Sequence, residues 1–296
     1  MKVKNLLIGI TVFLLVIVIV AIGLVLVIPV AAPSPCVGVI EVDGQITLKK
    51  QSYGLFETQG ISAEEIEEMI GEAEMRDDIK AVVFEINSPG GSVVATREMY
   101  ENVKSLKKPK VAYLREIAAS GGYYVAVGTD YIVTDPDAIT GSIGVRATFE
   151  DLSGLFEKLG INVTTIKSGE KKDIGDPTRP LSEEERAILQ GIVDEIFLEF
   201  REDVRESRGS RLNSTAFAEV LDGRILTGRQ AKRVGLVDEV GNKKTAIRVA
   251  GRMAGIEGEP RVCKIERRVG LWESMLSGLA RVLPLENSQR INLYFS

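Results

Sequence analysis

The chain of 296 residues contains no histidine, and its only cysteines are Cys36 and Cys263. Without histidine it cannot form a Ser-His-Asp triad, a Cys-His pair or a His-ligated metal site. Two cysteines are too few for a thiolate metal cluster, and the sequence leaves open whether they form a disulfide. We therefore expect neither metal nor cofactor. A general base working near neutral pH must be an Asp, Glu, Lys or Tyr side chain or an amino terminus.

Basic residues are also fewer than acidic ones. The chain has 37 Lys and Arg against 42 Asp and Glu, which gives a net charge of −5. It has no long run of basic residues. An acidic chain of this kind is poorly suited to the phosphate backbone of nucleic acid. Nucleic acid is therefore not expected as a partner.

Residues 6–30 form an apolar run without a charged residue. The run is longer than the roughly 20 residues that cross the hydrocarbon of a bilayer as a helix. A signal peptide is the alternative, but its apolar region should span only about 7–15 residues. Lys2 and Lys4 precede the run, so the positive-inside rule places the N-terminus in the cytoplasm. We predict a cytoplasmic tip and transmembrane anchor over residues 1–32, at the cell membrane, with the remainder outside the cytoplasm.

From residue 37 onward, short β-branched runs alternate with amphipathic stretches. This pattern predicts an α/β domain with a mainly parallel sheet, occupying residues 33–258. A C-terminal extension over 259–296 carries apolar side chains at helical spacing and is expected to form an amphipathic helix. The predicted strands include residues 37–42, 81–86, 111–114, 131–134 and 163–166. Capping boxes formed by Ser62 with Glu65 and by Ser182 with Glu185 predict the starts of two helices.

Two glycine-containing turns could carry chemistry. Residues 87–92, with Gly90 and Gly91, follow a predicted strand and precede a helix, so their N–H groups could face a developing oxyanion. An ordinary turn is the alternative. Ser120 lies in the second turn between small residues, where a helix N-terminus would favour an alkoxide. The alternative is that Ser120 is simply an N-cap.

A nucleophilic serine without histidine needs another base, and a neutral lysine is the known substitute. A free lysine has a pKa near 10.4, so work near pH 7–8 requires a depression of about 3 units, or about 4 kcal/mol. Residues 166–175 contain Lys167, Lys171 and Lys172, and composition does not choose between them. Hydroxyls of the turn at 139–145 could orient a neutral amine, although a hairpin or strand-edge turn explains that segment equally well.

Five segments occur in an order that is typical of one family. They read SPGG, ASGGYY, TGSIGV, KSGEKKDIGDPTRPLS and DGRILTGRQAKRVGLVDEVG. Together they resemble the protease IV / signal peptide peptidase A family of membrane-anchored serine peptidases, over most of residues 37–250. The resemblance implies a crotonase/Clp-protease-like fold and a homo-oligomeric ring of subunits. The absence of histidine agrees with the Ser-Lys dyad of that family.

The resemblance also implies roles for single residues. Ser120 matches the nucleophile, Lys172 rather than Lys171 matches the general base, and Ser142 matches the hydroxyl that orients the lysine. The oxyanion hole would consist of Gly90 or Gly91 together with the N–H of Gly121. The expected activity is a membrane-anchored endopeptidase that cleaves released signal peptides or other apolar peptides.

Three rival interpretations remain at this stage. A stomatin-linked type of membrane peptidase would keep the dyad but cut a protein substrate. A non-catalytic scaffold of the same fold would need neither Ser120 nor Lys172, and both are present. A crotonase-type acyl-CoA enzyme fits poorly with a domain outside the cytoplasm.

Overall fold

The computed structural model describes residues 13–17, 34–49, 52–53, 56–57 and 60–265. Backbone contacts divide the chain into one unit of Met1–Pro35 and another of Cys36–Ser296. Residues 13–17 are helical, and the rest of the predicted anchor at 6–30 lies outside the described residues. No helix in the described part has both the length and the apolar character that crossing a bilayer requires.

The second unit is built on an eight-stranded sheet. The strands of the described chain are β1 (Cys36–Asp43), β2 (Gln45–Thr47), β3 (Ser52–Tyr53), β4 (Phe56–Glu57), β5 (Gly60–Ser62), β6 (Ile79–Ser88), β7 (Lys110–Ala119), β8 (Tyr131–Thr134), β9 (Ile139–Gly141), β10 (Ile225–Thr227), β11 (Glu239–Val240) and β12 (Arg261–Lys264). The sheet has the order β10-β9-β7-β6-β1-β12, with β8 also beside β7 and β11 beside β8. Only the β9–β10 pair in this sheet is antiparallel. The predicted α/β domain with a mainly parallel sheet is therefore confirmed.

Helices cover both faces of this sheet. The helices described in the second unit are α1 (Ala63–Met75), α2 (Val93–Ser105), α3 (Gly121–Val127), α4 (Ser153–Lys158), α5 (Glu183–Arg208), α6 (Ser214–Glu219), α7 (Gly228–Val234) and α8 (Lys243–Met253). Predicted capping boxes at Ser62 and Ser182 are confirmed, because each hydroxyl accepts from the N–H three residues on. A 3-10 turn, Gly209–Arg211, follows α5.

Strand β6 shows how the core is divided. Its side chains alternate, so Val82, Phe84 and Ile86 join the larger cluster with residues of α1, α2 and α3. Ala81 and Val83 point to the other face, where they meet α8. Because apolar residues occupy both faces, β6 reads as a nearly continuous apolar run, as buried parallel strands do. The two glycine-containing turns begin where the buried strands β6 and β7 end.

The strand predicted at residues 163–166 is wrong. These residues are exposed and belong to no strand, and Ile166 is 97% exposed. The segment has the β-branched composition of a strand, but strand formation depends on a partner and on a surface to cover. Neither is present for this segment among the described residues.

The sheet continues beyond the predicted domain end at residue 258. Strand β12 pairs with β1 in parallel, inside the segment that the sequence set apart as an extension. Cys36 and Cys263 form a disulfide between these two strands, across a sequence separation of 227. The predicted amphipathic helix at 271–282 lies outside the described residues.

Candidate active site

Ser120 lies where β7 turns into α3, in a backbone conformation that serine rarely adopts. Its φ is 52° and its ψ is −122°. Its N–H donates to the carbonyl of Gly141 at 2.9 Å, and its carbonyl accepts from the N–H of Tyr124 at 2.9 Å. The half-buried hydroxyl makes no capping hydrogen bond to α3. Ser120 therefore occupies the N-cap position of α3, as the alternative interpretation held, but its hydroxyl does not cap the helix.

Ser142 lies beside Ser120 and shares its unusual backbone. Strands β7 and β9 run parallel with Ala119 opposite Gly141, so the two serines follow paired residues. Ser142 has a φ of 50°, and these two serines are the only non-glycine residues with positive φ among those described. Such a conformation costs about 1–3 kcal/mol per residue and is concentrated at functional sites.

A hydrogen bond from the next strand holds Ser142 in place. Its N–H donates to the carbonyl of Arg224 at 2.9 Å, directly before β10. Arg224 belongs to the DGRILTG segment, for which the sequence predicted no role at the site. The motif itself was visible, but its contact with Ser142 depends on the antiparallel pairing of β9 and β10.

The SPGG turn packs directly against Ser120. Gly90 has a φ of +102°, and a Cβ placed on it would lie 2.7 Å from the nitrogen of Gly121 and 3.2 Å from the Cβ of Ser120. Both the dihedral and the space therefore require glycine at this position. The carbonyl of Gly90 accepts from the N–H of Ile46 at 2.9 Å, which ties the turn to β2.

Two of the three predicted oxyanion donors are available. The N–H of Gly90 donates to the hydroxyl of Ser88 at 3.1 Å and is thus occupied. The N–H groups of Gly91 and Gly121 have no acceptor among the described residues. Gly121 is also the first residue of α3, where the helix dipole favours negative charge. Among the predicted donors, the hydrogen bonding therefore favours Gly91 over Gly90 as the partner of Gly121.

The three candidate lysines differ in their partners. Lys167 Nζ donates to Asp173 Oδ1 at 2.7 Å, and Lys171 Nζ donates to Glu184 Oε2 at 2.6 Å. The hydrogen bond with Glu184 raises the pKa of Lys171, which favours its charged form. The exposed side chain of Lys172 makes no hydrogen bond or ion pair with any described residue. Of the three amines, that of Lys172 is the one not held by a carboxylate.

Lys172 belongs to an exposed segment, residues 144–184, which we call the arm. No residue of the arm is buried. Within the described residues, no hydrogen bond joins the side chain of Lys172 to Ser120 or Ser142. The structure therefore brings together Ser120, Ser142 and the glycines, and it leaves the predicted base on a separate, solvated element.

One contact in the arm was missed by the sequence interpretation. The guanidinium of Arg179 binds the carboxylates of Asp173 and Glu185 at distances from 2.6 to 3.1 Å. Glu185 was recognised from its capping box, and Arg179 lies in the DPTRP stretch before it. Nothing in the spacing indicates that the two meet.

Comparisons with known proteins find relatives that are named as proteases. A candidate protease of Methanocaldococcus jannaschii is 41% identical over 70% of this chain and 66% of its own length. A candidate signal peptide peptidase SppA of Enterococcus faecium is 38% identical over 57% of this chain and 49% of its own. The chloroplastic serine protease SPPA of Arabidopsis thaliana is 34% identical over 78% of this chain and 34% of its own. The matched region thus spans less than two thirds of each of these relatives.

Among solved structures, a mutant of the 1510-N membrane-bound stomatin-specific protease can be superposed on this chain, and the match covers 78% of this chain and 97% of that protein. It is 17% identical with a TM-score of 0.49, which is too weak a likeness to carry an argument about function.

Two family profiles match the chain. The Clp protease profile matches residues 54–133, which agrees with a Clp-protease-like α/β fold with a mostly parallel sheet. The profile of peptidase family S49 matches residues 102–257, more than half of the chain. That region contains Ser120, Ser142 and the arm, so the sequence resemblance to the signal peptide peptidase A and protease IV group is confirmed. The chain belongs to peptidase family S49.

Proposed function

We propose that the protein is a serine endopeptidase in which Ser120 is the nucleophile and Lys172 is the general base. The observation that carries this proposal is the pair of strained serines at the ends of two adjacent parallel strands. A backbone strained at that point and held by flanking hydrogen bonds is typical of a residue placed for chemistry rather than for packing. The glycine turn against Ser120 supplies the complementary oxyanion site.

The reaction proceeds through an acyl-enzyme. Lys172 removes the proton of Ser120 Oγ as that oxygen attacks the carbonyl carbon of the peptide bond. The N–H groups of Gly91 and Gly121 hold the negative oxygen of the tetrahedral intermediate. The protonated Lys172 then gives its proton to the leaving amine, and the C–N bond breaks. A water molecule activated by the same lysine hydrolyses the Ser120 ester, and the hydroxyl of Ser142 orients the amine.

The ion pairs of the arm support Lys172 over its neighbours. A base must be neutral before it takes a proton, and a carboxylate at hydrogen-bond distance stabilises the charged amine instead. Lys167 and Lys171 both have such partners, Asp173 and Glu184. Lys172 has none among the described residues.

Exposure of the arm supports assembly into a homo-oligomeric ring. A lysine works as a base near neutral pH when burial disfavours its charge, and the single chain leaves Lys172 in water. The arm also exposes several large apolar side chains that a neighbouring copy would cover: Phe149, Leu155, Leu159, Ile161, Val163 and Ile166. We propose that a neighbouring copy supplies the dry surroundings of the dyad.

Location and substrate follow from the same proposal. The disulfide is typical of proteins in oxidising compartments, which supports a catalytic domain outside the cytoplasm, held at the membrane by residues 1–32. Released signal peptides remain at the membrane and are the proposed substrates. A stomatin-linked type of protein substrate is the alternative, and substrate profiling distinguishes the two.

The test uses the full chain in detergent micelles and an internally quenched apolar peptide, between pH 6 and 10. We expect wild type to cut the peptide with a rate that rises on the alkaline side, and to label at Ser120 with a fluorophosphonate. Ser120→Ala should lose both cleavage and labelling. Folded, assembled wild type without cleavage or labelling would favour the scaffold interpretation. Cleavage retained by Ser120→Ala would refute the proposal.

A further inference from the structure

Arg179 is the centre of a compact charged cluster at the base of the arm. Its Nε and Nη2 donate to the two carboxylate oxygens of Asp173 at 3.1 and 2.7 Å. Its Nη1 and Nη2 donate to the two oxygens of Glu185 at 2.8 and 2.6 Å. One guanidinium thus holds two carboxylates, each through two hydrogen bonds, in the geometry that lysine cannot reproduce.

This cluster is well ordered by its surroundings although the arm is exposed. The side chains of Asp173 and Glu185 are only 9% and 3% exposed. Glu185 is also the first buried residue after Ile143 along the chain, and it accepts from the N–H of Ser182 at 3.0 Å in the capping box of α5. Arg179 therefore connects the arm to the start of a 26-residue helix.

The same guanidinium fixes the backbone next to Lys172. Nη2 of Arg179 donates to the carbonyl of Asp173 at 3.2 Å, in addition to its bonds with the side chain. Asp173 is thus held at its carbonyl and at both carboxylate oxygens. Lys172 is the residue before it in the chain, joined to it by the peptide bond. The direction in which the Lys172 side chain leaves the arm depends on this attachment.

The cluster also neutralises Asp173, the carboxylate next to Lys172 in the sequence. Hydrogen bonds from Arg179 and then from Lys167 lower the pKa of Asp173, so this carboxylate stays ionised and fully paired. A carboxylate beside a lysine without such partners would favour the protonated amine. The charged side chains in this part of the arm and at the start of α5 are Lys167, Glu170, Lys171, Asp173, Asp176, Arg179, Glu183, Glu184, Glu185 and Arg186.

We propose that Arg179 is a positioning residue for Lys172: it fixes the direction of the lysine and cancels the charge of the carboxylate beside it. This inference rests on the proposed function, since it requires Lys172 to be the base. Arg179 itself touches neither substrate nor Ser120 in this proposal.

The experiment measures kcat and KM against pH for three variants of the full chain with the quenched apolar peptide. Arg179→Gln leaves Asp173 less neutralised, which favours the protonated form of Lys172. We therefore expect the midpoint of the rising limb of kcat/KM to shift to higher pH by about half a unit, with kcat down about tenfold. Asp173→Asn removes the negative charge and should move the limb down instead. Arg179→Lys keeps the charge but loses the paired geometry, so kcat should fall several-fold with the limb unmoved.

Arg186→Gln is the matched control. Arg186 follows Glu185 on α5, is 65% exposed and pairs at 3.9 Å with Glu183, so its removal should leave both kcat and the rising limb of the pH profile unchanged. Thermal unfolding and the oligomeric state of each variant are measured in parallel. If Arg179→Gln does not fold, the contrast between Asp173→Asn and Arg179→Lys still decides the matter.

Lys172→Ala in the same assay separates the two levels of the proposal. Activity retained by Lys172→Ala overturns both the base assignment and the role of Arg179. Lys172→Ala inactive, with the pH limb unmoved in Arg179→Gln and Asp173→Asn, overturns the role of Arg179 alone. A lower kcat in both variants without opposite shifts shows a merely structural role and also overturns it.

Discussion

The eight-stranded sheet with the helices packed on it, which we call the body, contains Ser120 and is packed very differently from the arm that carries Lys172. From residue 117 to residue 129, the exposed Ile117 and the half-buried Ser120 are the sole exceptions to complete burial. From residue 144 to residue 184, not one residue is buried. Strand pairing and core packing thus fix the proposed nucleophile, while the proposed base lies on a segment whose ion pairs are at the surface.

The two halves of the proposed dyad are therefore stabilised by different interactions. The strained backbone of Ser120 is held by the parallel pairing of β7 and β9 and by the packing of α3 in the core. The arm is held by charged hydrogen bonds, a capping box and local backbone hydrogen bonds, such as that from the N–H of Leu152 to the carbonyl of Pro177 at 2.8 Å, and not by a buried core. Under the proposed function, an active site divided in this way would be complete only when a neighbouring copy covers the arm.

The largest effect should come from replacing Lys172, with its neighbour Lys171 replaced in a second variant for comparison. Lys172→Ala removes the base, and we expect kcat/KM for the quenched peptide to fall about 10³-fold. Lys171→Ala removes an amine that is already bound to Glu184 and should change kcat/KM by less than about threefold. Steady-state kinetics of both variants give the answer. Retained activity in Lys172→Ala with loss in Lys171→Ala would move the base by one residue.

The body was far easier to predict from sequence than the arm. Buried strands such as β6 have a direct signature, since an apolar run in a parallel sheet allows few alternatives. Capping boxes likewise announced the starts of α1 and α5. In the arm, the β-branched residues 163–166 suggested a strand that does not form, because composition cannot reveal the absence of a partner strand.

Within the site, the sequence could nominate residues but not their conformations. The positive φ of Ser120 and Ser142 arises from how paired strands end, which depends on contacts distant in sequence. The division of labour between Gly90 and Gly91 depends on one hydrogen bond from Gly90 to Ser88. The role of Arg179 depends on two carboxylates, six residues before and six after it.

The next largest effect should come from the glycine turn of the body. Gly90→Ala introduces a Cβ that would lie 2.7 Å from the nitrogen of Gly121, at a φ of +102°. We expect the oxyanion site to distort and kcat to fall about 10²-fold, with KM less affected. Gly71→Ala is the matched control, because a Cβ at this position in α1 would meet no neighbouring atom within 4 Å, and the residue lacks a positive φ. Wild-type kcat in Gly90→Ala would show that the turn takes no part in the chemistry.

A smaller effect should appear when two inactive variants share one assembly. If the arm of one copy serves Ser120 of another, Ser120→Ala and Lys172→Ala chains coexpressed at equal amounts should regain about a quarter of wild-type activity. Purified separately, each should stay inactive. Peptide cleavage by the doubly tagged complex is the measurement. An inactive mixed complex would place both groups of each dyad on one chain.

The disulfide should affect stability more than activity. It joins the first and last strands of the described sheet, far from either half of the dyad in sequence. In the chain-entropy view, removing a link across 227 residues costs about 2–5 kcal/mol. We expect Cys36→Ala with Cys263→Ala to lower Tm by about 10 °C while kcat at 25 °C stays within about twofold. An unchanged Tm would show that strand pairing alone secures β12.

The smallest effect should be a difference between the arm and the body in protection from proteolysis as the pH falls. Hydrogen bonds from Arg179 and the N–H of Ser182 lower the pKa of Glu185 from 4.5 to about 2. A lowered pKa in the folded state means that the carboxylate stabilises the arm fully above pH 4.5 and less as the pH falls toward 2. Short pulses of pepsin over this range should therefore cut residues 166–185 increasingly, while residues 110–134 of the body stay protected. In Arg179→Gln, where the pKa of Glu185 loses its main cause of depression, cutting of the arm should already be fast at pH 4.5. Equal protection of arm and body down to pH 2 would mean that packing, rather than these ion pairs, holds the arm.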